Sequence, residues 1–222
     1  MRGHVRVRGT VWDLPVRLFH WLLVALLVFQ VVTGKIGGRL LDWHLFGGYA
    51  VFVLVVFRVL WGFAGSTSAR FRSFLAKPAA ALRFGARLLA RRAETYAGHN
   101  PLGGWMVVAL LVSLVFQVTT GLFSNDGGAT TGALAARVSI ELSDRLTELH
   151  HFNFWVLMLL AALHTAAALY HWLVLREDLI AAMFTGVKTL RADETAVVFV
   201  SAWRALLALA LALLALLVVI TA

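Results

Sequence analysis

Apolar residues run in five blocks, at about 18–33, 44–63, 102–123, 149–175 and 199–222. Each approaches or exceeds the roughly 20 residues that cross a bilayer as a helix. The third block has no charged residue, the second only Arg58, and the fifth only Arg204 near its start. The pattern predicts an all-α integral membrane protein, one bundle of five spanning helices. The first block lacks a small-residue cleavage signal after it, so it is expected to be a retained helix. No second soluble domain and no internal repeat is expected.

Composition sharpens this picture. The chain is 61% hydrophobic and 14% charged, against roughly 45–50% and 25% for soluble domains. It has no cysteine, which excludes disulfides, thiolate-bound iron–sulfur clusters and Cys-ligated zinc. The net charge of +9 lies between the apolar blocks, as in the cytoplasmic excess of Lys and Arg, and is not attributed to nucleic-acid binding. Arg2, Arg6, Arg8 and Arg17 precede or open the first block. The second loop holds Arg70, Arg72, Lys77, Arg83, Arg87, Arg91 and Arg92. The third loop is acidic, with Asp126, Glu141, Asp144 and Glu148; the fourth carries Arg176, Lys188 and Arg191 with Glu177, Asp178, Asp193 and Glu194. The N-terminus and loops two and four are therefore expected in the cytoplasm, and the C-terminus outside. Residues 74–89 are amphipathic, either a helix on the membrane surface or a solvated basic loop.

The chemistry lies in the histidines. Eight are present, mostly at or inside spanning segments, where ionisable groups are costly and usually functional. His20 opens the first helix on the inner side; His44 and His150 open the second and fourth on the outer side. His164 follows His150 by 14 residues, within about 40° of whole turns and about 21 Å deeper. Depth therefore pairs His20 with His164 and His44 with His150. Two such pairs suit two haems with bis-histidine axial ligation. Zinc would want four donors converging at one depth. His151 competes with His150 for the outer position, but its side chain is rotated about 100° from the stripe that holds His164.

Other residues fit the same picture. Gly34 lies on nearly the face of His20, near the outer depth. Gly47 and Gly48 follow His44, and Gly121 ends the third helix. Each glycine either admits a flat macrocycle or serves close helix packing. Arg58, 14 residues after His44, needs an anion: Asp13 or, preferably, a haem propionate. Arg17 is a second propionate candidate or a snorkelling interfacial cation. His171 lies near the inner end of the fourth helix, against a propionate, a quinone or the interface. His4 and His99 fall in loops, His99 with the option of framing the inner haem.

The strings V-W-D-L-P-V-R-L-F-H-W (11–21), W-H-L-F-G-G-Y (43–49), F-R-V-L-W-G-F (57–63), G-H-N-P-L-G (98–103) and T-E-L-H (147–150) leading to L-H (163–164) resemble the bacterial cytochrome b561 and Ni,Fe-hydrogenase b-type cytochrome family. The resemblance covers about residues 11–190. It implies a four-helix dihaem bundle over 1–190 in a bacterial inner membrane, with 191–222 an added C-terminal transmembrane helix. It implies two b haems, with ligands carried onto His20, His44, His150 and His164. It further implies electron transfer between the quinone pool and a redox partner, whether a hydrogenase, a dehydrogenase or a c-type cytochrome. Tyr170 and His171 are candidates for a quinone site. The charge of the third loop favours a partner on the outer face. The competing expectations are a transporter that uses intramembrane histidines and a haem-binding membrane anchor without turnover.

Overall fold

The computed structural model describes residues 6–92, 94–128, 130–191 and 197–222. Arg2, His4, Asp193 and Glu194 lie outside them. Among the described residues five helices are long and apolar enough to cross a membrane. They are α1 (Leu14–Ile36), α2 (Leu41–Ala64), α5 (Pro101–Leu122), α6 (Ile140–Leu173) and α8 (Trp203–Thr221). Shorter elements lie between them: α3 (Phe71–Phe74), α4 (Pro78–Leu89) and α7 (Leu179–Thr185), with strands β1 (Arg6–Thr10) and β2 (Val187–Arg191). Large apolar side chains such as Leu22, Val28, Leu159 and Leu214 are exposed along the spanning helices, as expected of a surface whose solvent is lipid.

The five expected spans all appear; α1 and α2 extend beyond their apolar blocks at both ends, and α8 falls short of its block at both. Helix α6 begins at Ile140, nine residues before the apolar block starts, because Ser139 and Glu141 can open a helix that hydropathy alone does not detect. Its 34 residues extend about 51 Å, well beyond a hydrocarbon core of about 30 Å. The amphipathic stretch of the second loop is helical over α4, with Pro78 in its first turn, where a missing N–H costs nothing.

Packing groups the chain into two compact units, each taking one end of every spanning helix. One comprises Met1–Leu18, Leu60–Ala109 and Leu160–Ala205. In it β1 pairs antiparallel with β2, Val7 opposite Leu190 and Thr10 opposite Val187. Asp13 caps α1, accepting the Val16 N–H at 2.9 Å, and its other oxygen accepts the indole N–H of Trp61 at 3.1 Å. Trp61 is fully buried. A buried carboxylate needs such donors, so this pair fixes the start of α1 against α2.

The other unit comprises Phe19–Val59, Leu110–Leu159 and Leu206–Ala222. Its core joins Val51 and Val55 of α2, Leu114 of α5 and Leu157 of α6, with Leu23, Leu26 and Leu27 of α1 packed against them. One polar bridge interrupts the apolar core. Ser113 donates to Asn153 Oδ1 at 3.1 Å, and Asn153 Nδ2 returns a bond to the Ser113 carbonyl at 3.0 Å. Such reciprocal satisfaction is what permits polar groups at that depth.

Candidate haem site

His44 on α2 and His150 on α6 face each other in this second unit, ring centroids 6.2 Å apart and planes at 80°. The two imidazoles are held in the same way. His44 Nδ1 lies 3.1 Å from the Gln30 carbonyl and 3.3 Å from Thr33 Oγ1. His150 Nδ1 lies 3.0 Å from the Gln117 carbonyl and 3.4 Å from Thr120 Oγ1. A carbonyl can only accept, so Nδ1 carries the proton in both rings and Nε2 keeps its lone pair. Each threonine hydroxyl donates one turn back, Thr33 to Phe29 and Thr120 to Phe116, both at 2.8 Å. Its oxygen is thereby presented to the ring as a second acceptor.

A glycine completes each cradle. A Cβ at Gly34 would lie 2.9 Å from His44 Cε1, and one at Gly121 would lie 3.0 Å from His150 Cε1. The first is shorter than Cβ contacts run and the second is tighter than nearly all of them, so an added methyl would press on either ring. The strings that supply these groups are Gln30-Val-Val-Thr33-Gly34 and Gln117-Val-Thr-Thr120-Gly121. They are one five-residue motif used twice, on α1 and on α5. This corrects the expectation that the chain lacks an internal repeat. The repeat is too short, and too rich in ordinary helix residues, to stand out until the two rings show what it contacts.

The two cradles differ in their glutamine side chains. Gln117 accepts from Asn153 Nδ2 at 2.6 Å, and its Nε2 lies 3.1 Å from His150 Nε2. Gln30 Oε1 is buried and has no hydrogen-bond partner among the described residues. Gln30, Thr33, Gln117, Thr120 and Asn153 are the residues that sequence reasoning missed.

The remaining candidates have definite surroundings. Gly47 packs against Gln30 and Phe29, whereas a Cβ at Gly48 would lie 3.5 Å from Gln30 Nε2. His151 is exposed. His20 belongs to the second unit and His164 to the first; both are half-buried, and the His20 ring stands edge-on to Trp21 at 4.9 Å. Arg58 in the second unit is only 3% exposed. In the first unit His99 contacts the rings of Trp12 and Phe74 at 4.7 and 4.6 Å. Arg17 Nη1 donates to the Phe184 carbonyl, while its Nε is buried with no hydrogen-bond partner among the described residues. Tyr170 donates to the Leu88 carbonyl at 3.1 Å.

His171 is 4% exposed, and its Nδ1 donates to Glu177 at 2.8 Å. Lys188 reaches the other Glu177 oxygen at 2.7 Å and the Tyr96 carbonyl at 2.7 Å. Burial alone would raise the Glu177 carboxyl. The bond from His171 and the Lys188 ammonium outweigh it and hold the group below the ordinary carboxylate value.

The facing pair has the chemistry a haem iron takes: two imidazoles, each with Nδ1 committed to a backbone carbonyl and Nε2 keeping its lone pair. His44 and His150 would hold the group, with the Gln117 amide, 3.1 Å from His150 Nε2, turning away. A metal-ligating His also characteristically donates its second N–H to a backbone carbonyl, as both rings do here. No group of three or more His, Asp or Glu side chains placed to hold a metal ion occurs among the described residues, so the donor set is a pair and not a cluster.

Five apolar helices with a facing pair of imidazoles have the elements of a membrane-embedded haem protein. The family model for prokaryotic cytochrome b561 matches residues 11–186, and the chain belongs to that family. It is a multi-pass membrane cytochrome, and electron transfer is the activity the family implies. The chain is similar to proteins named probable Ni/Fe-hydrogenase B-type cytochrome subunit. One, from Cupriavidus necator, is 25% identical over 213 residues, covering 82% of this chain and 87% of that protein. Another, from Rhodobacter capsulatus, is 24% identical over 218 residues, covering 83% and 82%. A third, from Azotobacter vinelandii, is 27% identical over 217 residues, covering 83% and 90%. No solved structure matches the chain.

Proposed function

We propose that the protein carries electrons through a bacterial inner membrane between a redox partner and the quinone pool, using two b haems. The observation that carries this reading is the facing pair of imidazoles, His44 and His150, in matched cradles. His44 and His150 would hold the outer haem. His20 and His164 would hold the inner one, on the support of the 14-residue spacing along α6 and the family resemblance. Bound haem supplies an iron that accepts and releases one electron at a time. The chain's residues fix its ligands, exclude water and neutralise its charge. Arg58 and Arg17 are suited to propionates, the latter through its buried Nε. Gly34 and Gly48, with His99 and His171, would line or frame the two sites.

Residues 1–190 would form the dihaem domain and 191–222 an appended helix, consistent with a family match that stops at residue 186. The Lys and Arg excess supports a cytoplasmic N-terminus and a periplasmic C-terminus. The names of the relatives support a hydrogenase as the partner, docked on the outer face, with quinone reacting near the inner haem.

Visible spectra and haem counts of the purified protein test this. Wild type should show sharp α-bands on reduction and two haems per chain. Ala at His44 or His150 should remove one haem, and Ala at His20 or His164 the other. A quinol analogue should reduce the haems. A colourless protein rejects haem binding, and haems inert to quinol reject the quinone link. Loss of a haem in His151→Ala with retention in His150→Ala reassigns the outer ligand.

A further inference from the structure

We propose that Arg83 and Arg87 form a binding site for the phosphate of an anionic phospholipid, on the amphipathic helix α4. Three faces of that helix have separate environments. Leu82 and Leu89, two turns apart, are 75% and 82% exposed. Ala81 and Phe84 are buried against the protein. Arg83 and Arg87, one turn apart, lie between these two faces. They border a cavity of about 220 Å³ whose other walls are Ala80, Phe84, Tyr96 and Pro101. Phe84 and Tyr96 meet edge to face at 5.6 Å and shape its floor.

The arrangement selects an amphiphile. Leucines that project fully from a basic helix belong in the acyl layer, which sets the arginines at headgroup depth. Arg83 has no carboxylate partner among the described residues. Arg87 is paired with Glu94 at 3.3 Å, but both side chains are more than half exposed (58% and 57%), so that pair is weak and readily exchanged. Two guanidinium groups one turn apart suit the oxygens of one phosphodiester. The open leucine face beside them offers the acyl chains a path that a free anion would not use. Basic pockets at a membrane interface bind anionic headgroups on this principle.

Native mass spectrometry of the full-length protein, titrated with dioleoylphosphatidylglycerol or dioleoylphosphatidylcholine, tests the site. Wild type should retain one phosphatidylglycerol much more strongly than phosphatidylcholine. The double variant R83Q/R87Q should lose that preference by on the order of 30-fold. R91Q/R92Q, which changes two arginines outside the cavity, should keep it. A parallel variant, R83K/R87K, keeps the charge and the fold but should weaken retention through loss of the two-pronged geometry. Helicity by circular dichroism confirms that each variant is folded. Equal retention of the two lipids overturns the proposal, as does wild-type retention in R83Q/R87Q. An equal loss in R91Q/R92Q reduces the effect to general surface charge and overturns it too. Displacement of the lipid by inorganic phosphate at millimolar concentration would make this a free-anion site instead.

Discussion

Gly34 and His44 are in contact through an absent side chain: a Cβ on Gly34 would lie 2.9 Å from His44 Cε1. Gly121 stands in the same relation to His150, at 3.0 Å. The imidazole orientation therefore depends on two glycines, each in the last turn of its helix.

Gly34→Ala and Gly121→Ala should each displace a ligand ring, at a cost of about 1–3 kcal/mol for overpacking. The expected result is lower occupancy of one haem and a broadened α-band, read by haem assay and low-temperature spectra. Gly85→Ala, on α4 and away from both histidine cradles, is the control. Its Cβ meets only Leu102 Cδ2, at 3.9 Å, so haem content should stay at the wild-type level. Equal effects at all three positions would mean that the contact with the ring is not what matters.

Arg58 is a buried cation, 3% exposed, fourteen residues after His44 on α2. A cation close to a haem disfavours the more positive oxidised iron and so raises its reduction potential. Arg58→Leu should lower the potential of one haem by tens of millivolts, a tenfold change being about 59 mV for one electron. The second haem should hardly move. Potentiometric titration followed at the α-bands resolves the two. Equal shifts in both haems, or none, would count against a propionate contact.

Acid should loosen the cluster of His171, Glu177 and Lys188. The Glu177 carboxyl is held below its ordinary value of 4.5. Its contribution to stability is therefore complete above that value and is lost as pH falls through the folded-state value. Glu177→Gln removes the contribution at every pH and leaves Lys188, 6% exposed, without its carboxylate. Breaking a buried pair in this way costs about 3 kcal/mol or more. Thermal melts in detergent at pH 7 and pH 4 should show a lowered Tm at pH 7 and a smaller pH dependence than wild type. A variant that melts like wild type at both would refute a stabilising role for the pair.

The spans and the histidine spacing were legible in the sequence because both follow from single periodicities, hydropathy and 3.6 residues per turn. The cradle was not. Gln30 and Thr33 contact a ring on another helix, and nothing local marks them, since the partner atoms are a backbone carbonyl and a hydroxyl already engaged with its own helix. The His171–Glu177–Lys188 cluster was hidden for a related reason. Glu177 and Lys188 read as loop charges and His171 as the inner end of the fourth helix, and only the fold of the segment from α6 to β2 brings them together. Asp13 likewise takes the Val16 N–H and the Trp61 indole, and the second of these joins residues 48 apart in the chain, which no local pattern marks.

The early start of α6 bears on where the redox partner docks. Glu141, Asp144, Glu148 and His151 are spaced by three and four residues, so they form one stripe on the helix, and all four are exposed. The next residue back from His151 is His150, turned inward against His44. An acidic, solvent-facing stripe therefore runs along the same helix that presents the proposed outer haem ligand. Charge of one sign near a redox centre concentrates partners of the opposite sign and raises their encounter rate, most strongly at low salt. Reversing Glu141, Asp144 and Glu148 to Lys should slow electron exchange with a basic c-type cytochrome, used as a soluble probe, by at least about tenfold at low ionic strength. The difference should shrink as salt is added, because the Debye length falls to about 8 Å near physiological ionic strength. Haem reduction by a quinol analogue should stay at the wild-type rate, since that reactant arrives through lipid. Stopped-flow measurement of both reactions in the same preparation separates the two effects. Unchanged exchange at low salt, together with its loss on reversing Arg83, Arg87 and Arg91, would place the docking face on the opposite side.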